Sequence, residues 1–236
     1  MRIKDVKDEI LGGLKDFAKQ NGFKIRKGDF KLLKSEKLRD INIHFTYNTW
    51  GFAIELFPMV CISFKEVHRI CEVNGYDLNY TAFINVLLLK EIVDNGFDYQ
   101  KKWELQLKRA DRISMEDDTL DYSKIVREVL DLMPYAMDFI NDIQDYKDLD
   151  RVYNTFPIKK DNTFFTMWDT SQSIIGIIAA KLANNPEYDK IVEIYEGWVE
   201  PVNNSPEEKV AFYKIKEYLE TYDPEQPNSL TESKKE

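Results

Sequence analysis

The two histidines and two cysteines of this sequence, His44, Cys61, His68 and Cys71, are together the inventory of one Cys2His2 zinc site. Such a site needs four ligands about 2.0–2.3 Å from one ion. Three of the four crowd into CISFKEVHRIC, residues 61–71. The surrounding pattern argues against shared ligation. His44 lies in LRDINIHFTYN, whose alternation puts Ile41, Ile43, Phe45 and Tyr47 on one face of a strand and Asn42, His44 and Thr46 on the other. A turn at residues 48–51 then sets His44 opposite Glu55 and Cys61 opposite Leu38. At about 3.3 Å per residue this separates His44 from Cys61 by roughly 20 Å. The close Cys pair of finger-type sites is also missing, so no metal site is expected.

Two other chemistries deserve weighing. His68 and Cys71 are an i,i+3 pair that could bring a base to a thiol, but Cys71 falls late in its helix, where the negative dipole end disfavours a thiolate. It reads as helix core. His44 opposite Glu55 is a candidate acid/base pair on an open sheet face, and these two residues carry the only catalytic reading, a hydrolase or nucleotide-processing enzyme. No phosphate loop, glycine-rich dinucleotide turn or nucleophile elbow accompanies them, and no cofactor is indicated.

The elements that would position these residues follow from periodicity. Ile3, Val6, Ile10, Leu14 and Phe17 form one helical stripe over residues 3–20, stopped by Asn21-Gly22. FKIRKGDFKLLK reads as a hairpin turning at Lys27-Gly28, with Phe23 facing Leu32 and Ile25 facing Phe30. A second hairpin joins LRDINIHFTYN, residues 38–48, to a return strand with Phe52, Ile54 and Leu56 on the buried face, continued past Pro58 by Val60, Ile62 and Phe64. Ser63-x-x-Glu66 resembles a capping box that opens a helix through Val67, Ile70 and Cys71. TAFINVLLLKEIVD, residues 81–94, is apolar nearly all round and reads as a packed helix, and WELQLK adds a strand around Trp103, Leu105 and Leu107. From Asp121 the period becomes 3.6, with a stripe from Tyr122 to Ile143 that passes a kink at Pro134. Asn185-Pro186-Glu187 and Ser205-Pro206-Glu207 announce two later helices.

The net charge of −9 is unevenly spread. Residues 1–115 hold 20 Lys and Arg against 16 Asp and Glu, whereas residues 116–222 hold 11 against 22. Cations cluster on the first hairpin, but Phe23, Phe30 and Phe45 alternate onto the apolar side and leave no exposed aromatics for base stacking. With an acidic chain overall, nucleic acid is excluded as a partner. In the acidic part Asp131, Asp138, Asp142, Asp145 and Asp148 recur at steps of seven, four, three and three, one ridge if a single helix runs through them. Like charges at these spacings cost a few tenths of a kcal/mol each, so the ridge is expected to serve a basic protein partner. A solvated face kept for solubility gives the same pattern.

The opening residues mix acids and bases without an apolar core, so no secretory signal is expected, and the most apolar run, residues 173–183, is half a bilayer span and broken by Lys181. No membrane association is indicated. Two free thiols fit a reducing, cytoplasmic setting.

The order of elements resembles a family of bacterial proteins classed as a domain of unknown function. The resemblance rests on NGFKIRKGDFKLL, LRDINIHFTYN with GFAIELFPMVCI, REVLDLMPYAMDFI and SIIGIIAAKLANNPEYDKIVEIYEGWV. Some relatives stand beside polymorphic toxin genes, which implies an immunity-type, toxin-neutralising role and assigns no catalytic residue. The helical end also looks like a degenerate helical-repeat pair. The expectation is an α+β protein: residues 1–115 form a mostly antiparallel sheet of about five strands with flanking helices, residues 116–222 an all-helical half of antiparallel helices, and residues 223–236 a disordered tail. The oligomeric state is left open.

Overall fold

A computed structural model describes residues 3–50, 53–96, 112–116, 121–156, 158, 169–200 and 206–225. The fold is α+β, an antiparallel sheet with helices followed by C-terminal helices that pack together. Its contacts group the chain into two compact units, residues 1–62 with 83–142 and residues 63–82 with 143–236. The second unit thus takes in an early segment, and the first takes in the long helix that opens the helical stretch of sequence.

In the first unit, α1 (Ile3–Gly13) and α2 (Lys15–Gln20) replace the single expected helix, with the break at Leu14. Gly22 takes φ +74°, a conformation open to glycine, and the chain turns there as expected. The strands are β1 (Lys24–Arg26), β2 (Lys31–Ser35), β3 (Arg39–Trp50), β4 (Ala53–Phe64), β5 (Ala82–Asn85) and β6 (Ile113–Glu116). The sheet order is β1-β2-β3-β4-β5, with β6 also on β4. Ile41, Ile43, Ile54, Leu56, Val60 and Ile62 are buried, as the alternation requires.

The register differs from expectation in both hairpins. Ile25 faces Leu32 and Lys24 faces Leu33 because the turn spans residues 27–30, closed by Phe30 at φ +50°. In the second hairpin β3 runs to Trp50, so residues 48–50 are strand and not part of the expected turn at 48–51.

Residues 82–85, expected as helix, form β5, and the Asn85 side chain then accepts hydrogen bonds from Leu87 N and Leu88 N to start α4 (Val86–Asn95). The long helix α5 (Tyr122–Asp142) passes unbroken through Pro134 and packs against α1 and α4. Buried Arg39 donates to the Ile140 carbonyl at 2.8 Å, which ties its C-terminal turn to β3. The expected strand around Trp103 lies outside the described residues, as does the tail from residue 226.

The second unit holds α3 (Lys65–Val73), α6 (Tyr146–Asn154), α7 (Asp169–Leu182), α8 (Tyr188–Val199) and α9 (Pro206–Thr221), the last beginning at its proline as expected. Helix α7 is its centre. Ile174, Ile175, Ile177 and Ile178 are fully buried among α3, α6, α8 and α9. Three buried side chains donate to backbone carbonyls: Tyr195 Oη to that of Tyr153, Tyr153 Oη to that of Thr81, and the Asn154 amide to that of Gly176. No helix among the described residues is long and apolar enough to cross a membrane.

Candidate functional site

The polar side of the β3–β4 hairpin holds the residues with the most chemistry. Cys61 Sγ lies 3.6 Å from His44 Nε2, and the Thr46 hydroxyl donates to the Phe57 carbonyl at 3.4 Å. The expected 20 Å separation of His44 from Cys61 is therefore wrong. Its cause is the length of β3: residues 48–50 continue the strand instead of turning, which slides the strands along each other and brings Cys61 up to His44. The slide is by an even number of residues, so every side chain keeps its face.

The same slide dissolves the expected opposition of His44 to Glu55. Glu55 lies towards the turn, where it is 1% exposed and its carboxylate receives Arg112 Nη1 at 3.2 Å. Arg112 in turn stacks over Phe57, 5.0 Å from the ring centre. Strand β6 places this arginine, since Ser114 pairs with Glu55 and Arg112 follows on the same side. Nothing in the sequence marks this ion pair, because its partners are 57 residues apart.

Electrostatics keeps the His44–Cys61 pair neutral. Burial, and then the Lys31 ammonium directly across the strand pair, hold the imidazole below its ordinary range. Burial pushes the Cys61 thiol up to about 12. An activated thiolate–imidazolium pair needs both shifts reversed, so at neutral pH a thiol meets a neutral ring. Cys71 is also buried and pushed up to about 12, which agrees with its reading as helix core.

On α3 the Ser63–Glu66 capping box does not form. The N-cap position is Phe64, and Glu66 binds Arg69 and accepts from Tyr222 Oη at 2.5 Å. His68 lines a shallow cleft of about 340 Å³ with Glu72, Tyr76 and Asp77. A second cleft of about 200 Å³, between α8 and α9, is lined by Tyr188, Asp189, Glu193, Glu196, Lys216 and Glu220.

The aspartate ridge is not one helix. Helix α5 ends at Asp142, and Asp145 caps α6 in a reciprocal box: Asp145 Oδ1 accepts from Lys147 N and Asp148 N, while Asp148 Oδ2 accepts from Asp145 N. Asp145 and Asp148 thus have a local structural task. Asp131, Asp138 and Asp142 stay exposed along one side of α5. Among the described residues no three His, Cys, Asp or Glu side chains cluster so as to hold a metal ion.

No family model, curated protein or solved structure matches the chain.

Proposed function

We propose that this protein binds a basic protein partner through acidic helical surfaces, in its specific form as a toxin-neutralising, immunity-type protein. The observation that carries the reading is the side of α5 formed by Asp131, Asp138 and Asp142, exposed while Ile125, Val129, Met133, Ala136 and Ile140 are buried. Steps of seven and four keep the three carboxylates on one helical face, where they repel one another and steer a cationic surface towards them. The acid-lined cleft between α8 and α9 adds a second surface of the same sign. The partner surface is narrower than the five-residue ridge, since Asp145 and Asp148 are accounted for as caps. The hydrolase alternative through His44 and Glu55 has less support, because each side chain has another neighbour.

Affinity capture at low and high salt, with intact chain and an Asp131→Asn, Asp138→Asn, Asp142→Asn variant, tests the reading. A basic protein retained at low salt, released by salt and lost from the variant is the expected result. Retention that ignores both salt and the three substitutions refutes it.

A further inference from the structure

The β3–β4 hairpin brings three soft donors to one side of the sheet. Cys61 Sγ and His44 Nε2 are 3.6 Å apart. Met59 precedes Cys61 by two residues, and side-chain alternation keeps both on one face of β4. It also lies between the two contacts that align the strands, Thr46 with Phe57 and His44 with Cys61.

We propose that His44 Nε2, Met59 Sδ and Cys61 Sγ form a binding site for a monovalent thiophilic metal ion, Cu(I). The separation of His44 Nε2 from Cys61 Sγ fits. Metal–sulfur and metal–nitrogen bonds of about 2.3 and 2.0–2.1 Å, subtending a tetrahedral to trigonal angle, put sulfur and nitrogen about 3.5–3.8 Å apart. The hairpin already supplies that distance between the imidazole and the thiol. The donor set selects the ion: thiolate and thioether favour Cu(I), and imidazole accepts it.

Charge selects it again. Cys61 is fully buried and His44 half-buried, so any complex here sits in poor solvent. One thiolate with one Cu(I) and two neutral donors carries no net charge, whereas a divalent ion leaves a buried positive charge. Lys31, opposite His44 on β2, makes that excess costlier still. On binding, the Cu–S bond forms, the Cys61 thiol proton passes to solvent, and no electron is transferred. Without metal, thiol and imidazole satisfy each other, which holds both donors ready at no cost in unpaired polar atoms.

The test is an anaerobic titration of the full chain with Cu(I) in competition with the chromophoric chelator bicinchoninate. One equivalent withdrawn from the chelator is expected. Cys61→Ser and His44→Gln should abolish this uptake, Met59→Leu, which conserves volume, should weaken it about tenfold or more, and Cys71→Ser should leave it unchanged. X-ray absorption on the loaded, unsubstituted protein guards against variants that fail to fold, and should show both sulfur and imidazole nitrogen bound to copper. No withdrawal from the chelator, uptake that survives Cys61→Ser, loss in a folded Cys71→Ser variant, or a sulfur-only shell overturns the site. Zinc(II) bound as tightly as Cu(I) overturns the charge argument.

Discussion

Gly176→Ala tests the packing at the centre of the second unit. A Cβ built on Gly176 of α7 falls 2.4 Å from Tyr195 Cε2, 2.5 Å from Cζ and 2.6 Å from the hydroxyl oxygen on α8. Tyr195 is fully buried and cannot swing outward, and its hydroxyl holds the Tyr153 carbonyl at 3.0 Å. Either the two helices separate or the ring moves and gives up that hydrogen bond. Overpacking costs about 1–3 kcal/mol, and a buried polar group left unmatched about 1–3 kcal/mol. The higher helix propensity of alanine returns about 1 kcal/mol. The balance is a loss of about 1–5 kcal/mol, which at about 2–4 °C per kcal/mol lowers the Tm by about 2–20 °C. Thermal unfolding followed by circular dichroism reads it. Gly197→Ala on α8 is the matched control: nothing lies within 4 Å of its Cβ, so propensity acts alone and raises the Tm by about 2 °C. If Gly176→Ala matches or exceeds the Tm of the unsubstituted protein, the close approach of α7 and α8 is refuted.

Three further outcomes follow from other parts of the molecule. Asp145→Ala should cost about 1 kcal/mol by removing the α6 capping box, whereas Asp131→Ala should stay within about 0.5 kcal/mol; urea unfolding of both distinguishes a cap from an exposed charge. Arg112→Leu should cost about 3 kcal/mol because Glu55 loses its buried ion partner, and most of that loss should return in Arg112→Leu with Glu55→Leu; an additive double variant denies the pair. Burial alone pushes the Glu66 carboxyl up, but hydrogen bonds from Arg69 and Tyr222 and the Arg69 charge outweigh it and the net direction is down. A lowered carboxylate stabilises above its unfolded value of about 4.3 and loses that contribution as pH falls through the folded one, so Glu66→Gln should reduce the stability lost between about pH 5 and pH 3. An unchanged acid limb in that variant refutes the assignment.

Local grammar was legible where a signal had one meaning. Asn21-Gly22 stops a helix and Pro206 starts one because their backbone preferences suit those places alone. Signals with two meanings misled. Ser63-x-x-Glu66 has the capping spacing, yet Glu66 is drawn to Arg69 and Tyr222, and the cap that forms is built from Asp145 and Asp148, two members of the supposed ridge. In residues 81–94, Asn85 divides strand from helix inside a run whose apolar residues suit either. Glu55 looked like half of an acid/base pair because Arg112, its ion partner, approaches only through the pairing of β6 with β4.

The deepest division lies within the sheet. Alternation along each strand determined which residues are buried, and Ile25, Leu32, Ile43 and Ile54 all kept their faces. Which residue meets which was decided in three dimensions. A pattern of period two is unchanged when strands slide by two or four residues, so hydrophobic alternation cannot distinguish those registers. The ends of the strands break the tie: Phe30 closes one hairpin in a left-handed conformation, and in the other β3 continues as strand to Trp50. That register sets Cys61 beside His44 and leaves Glu55 to Arg112.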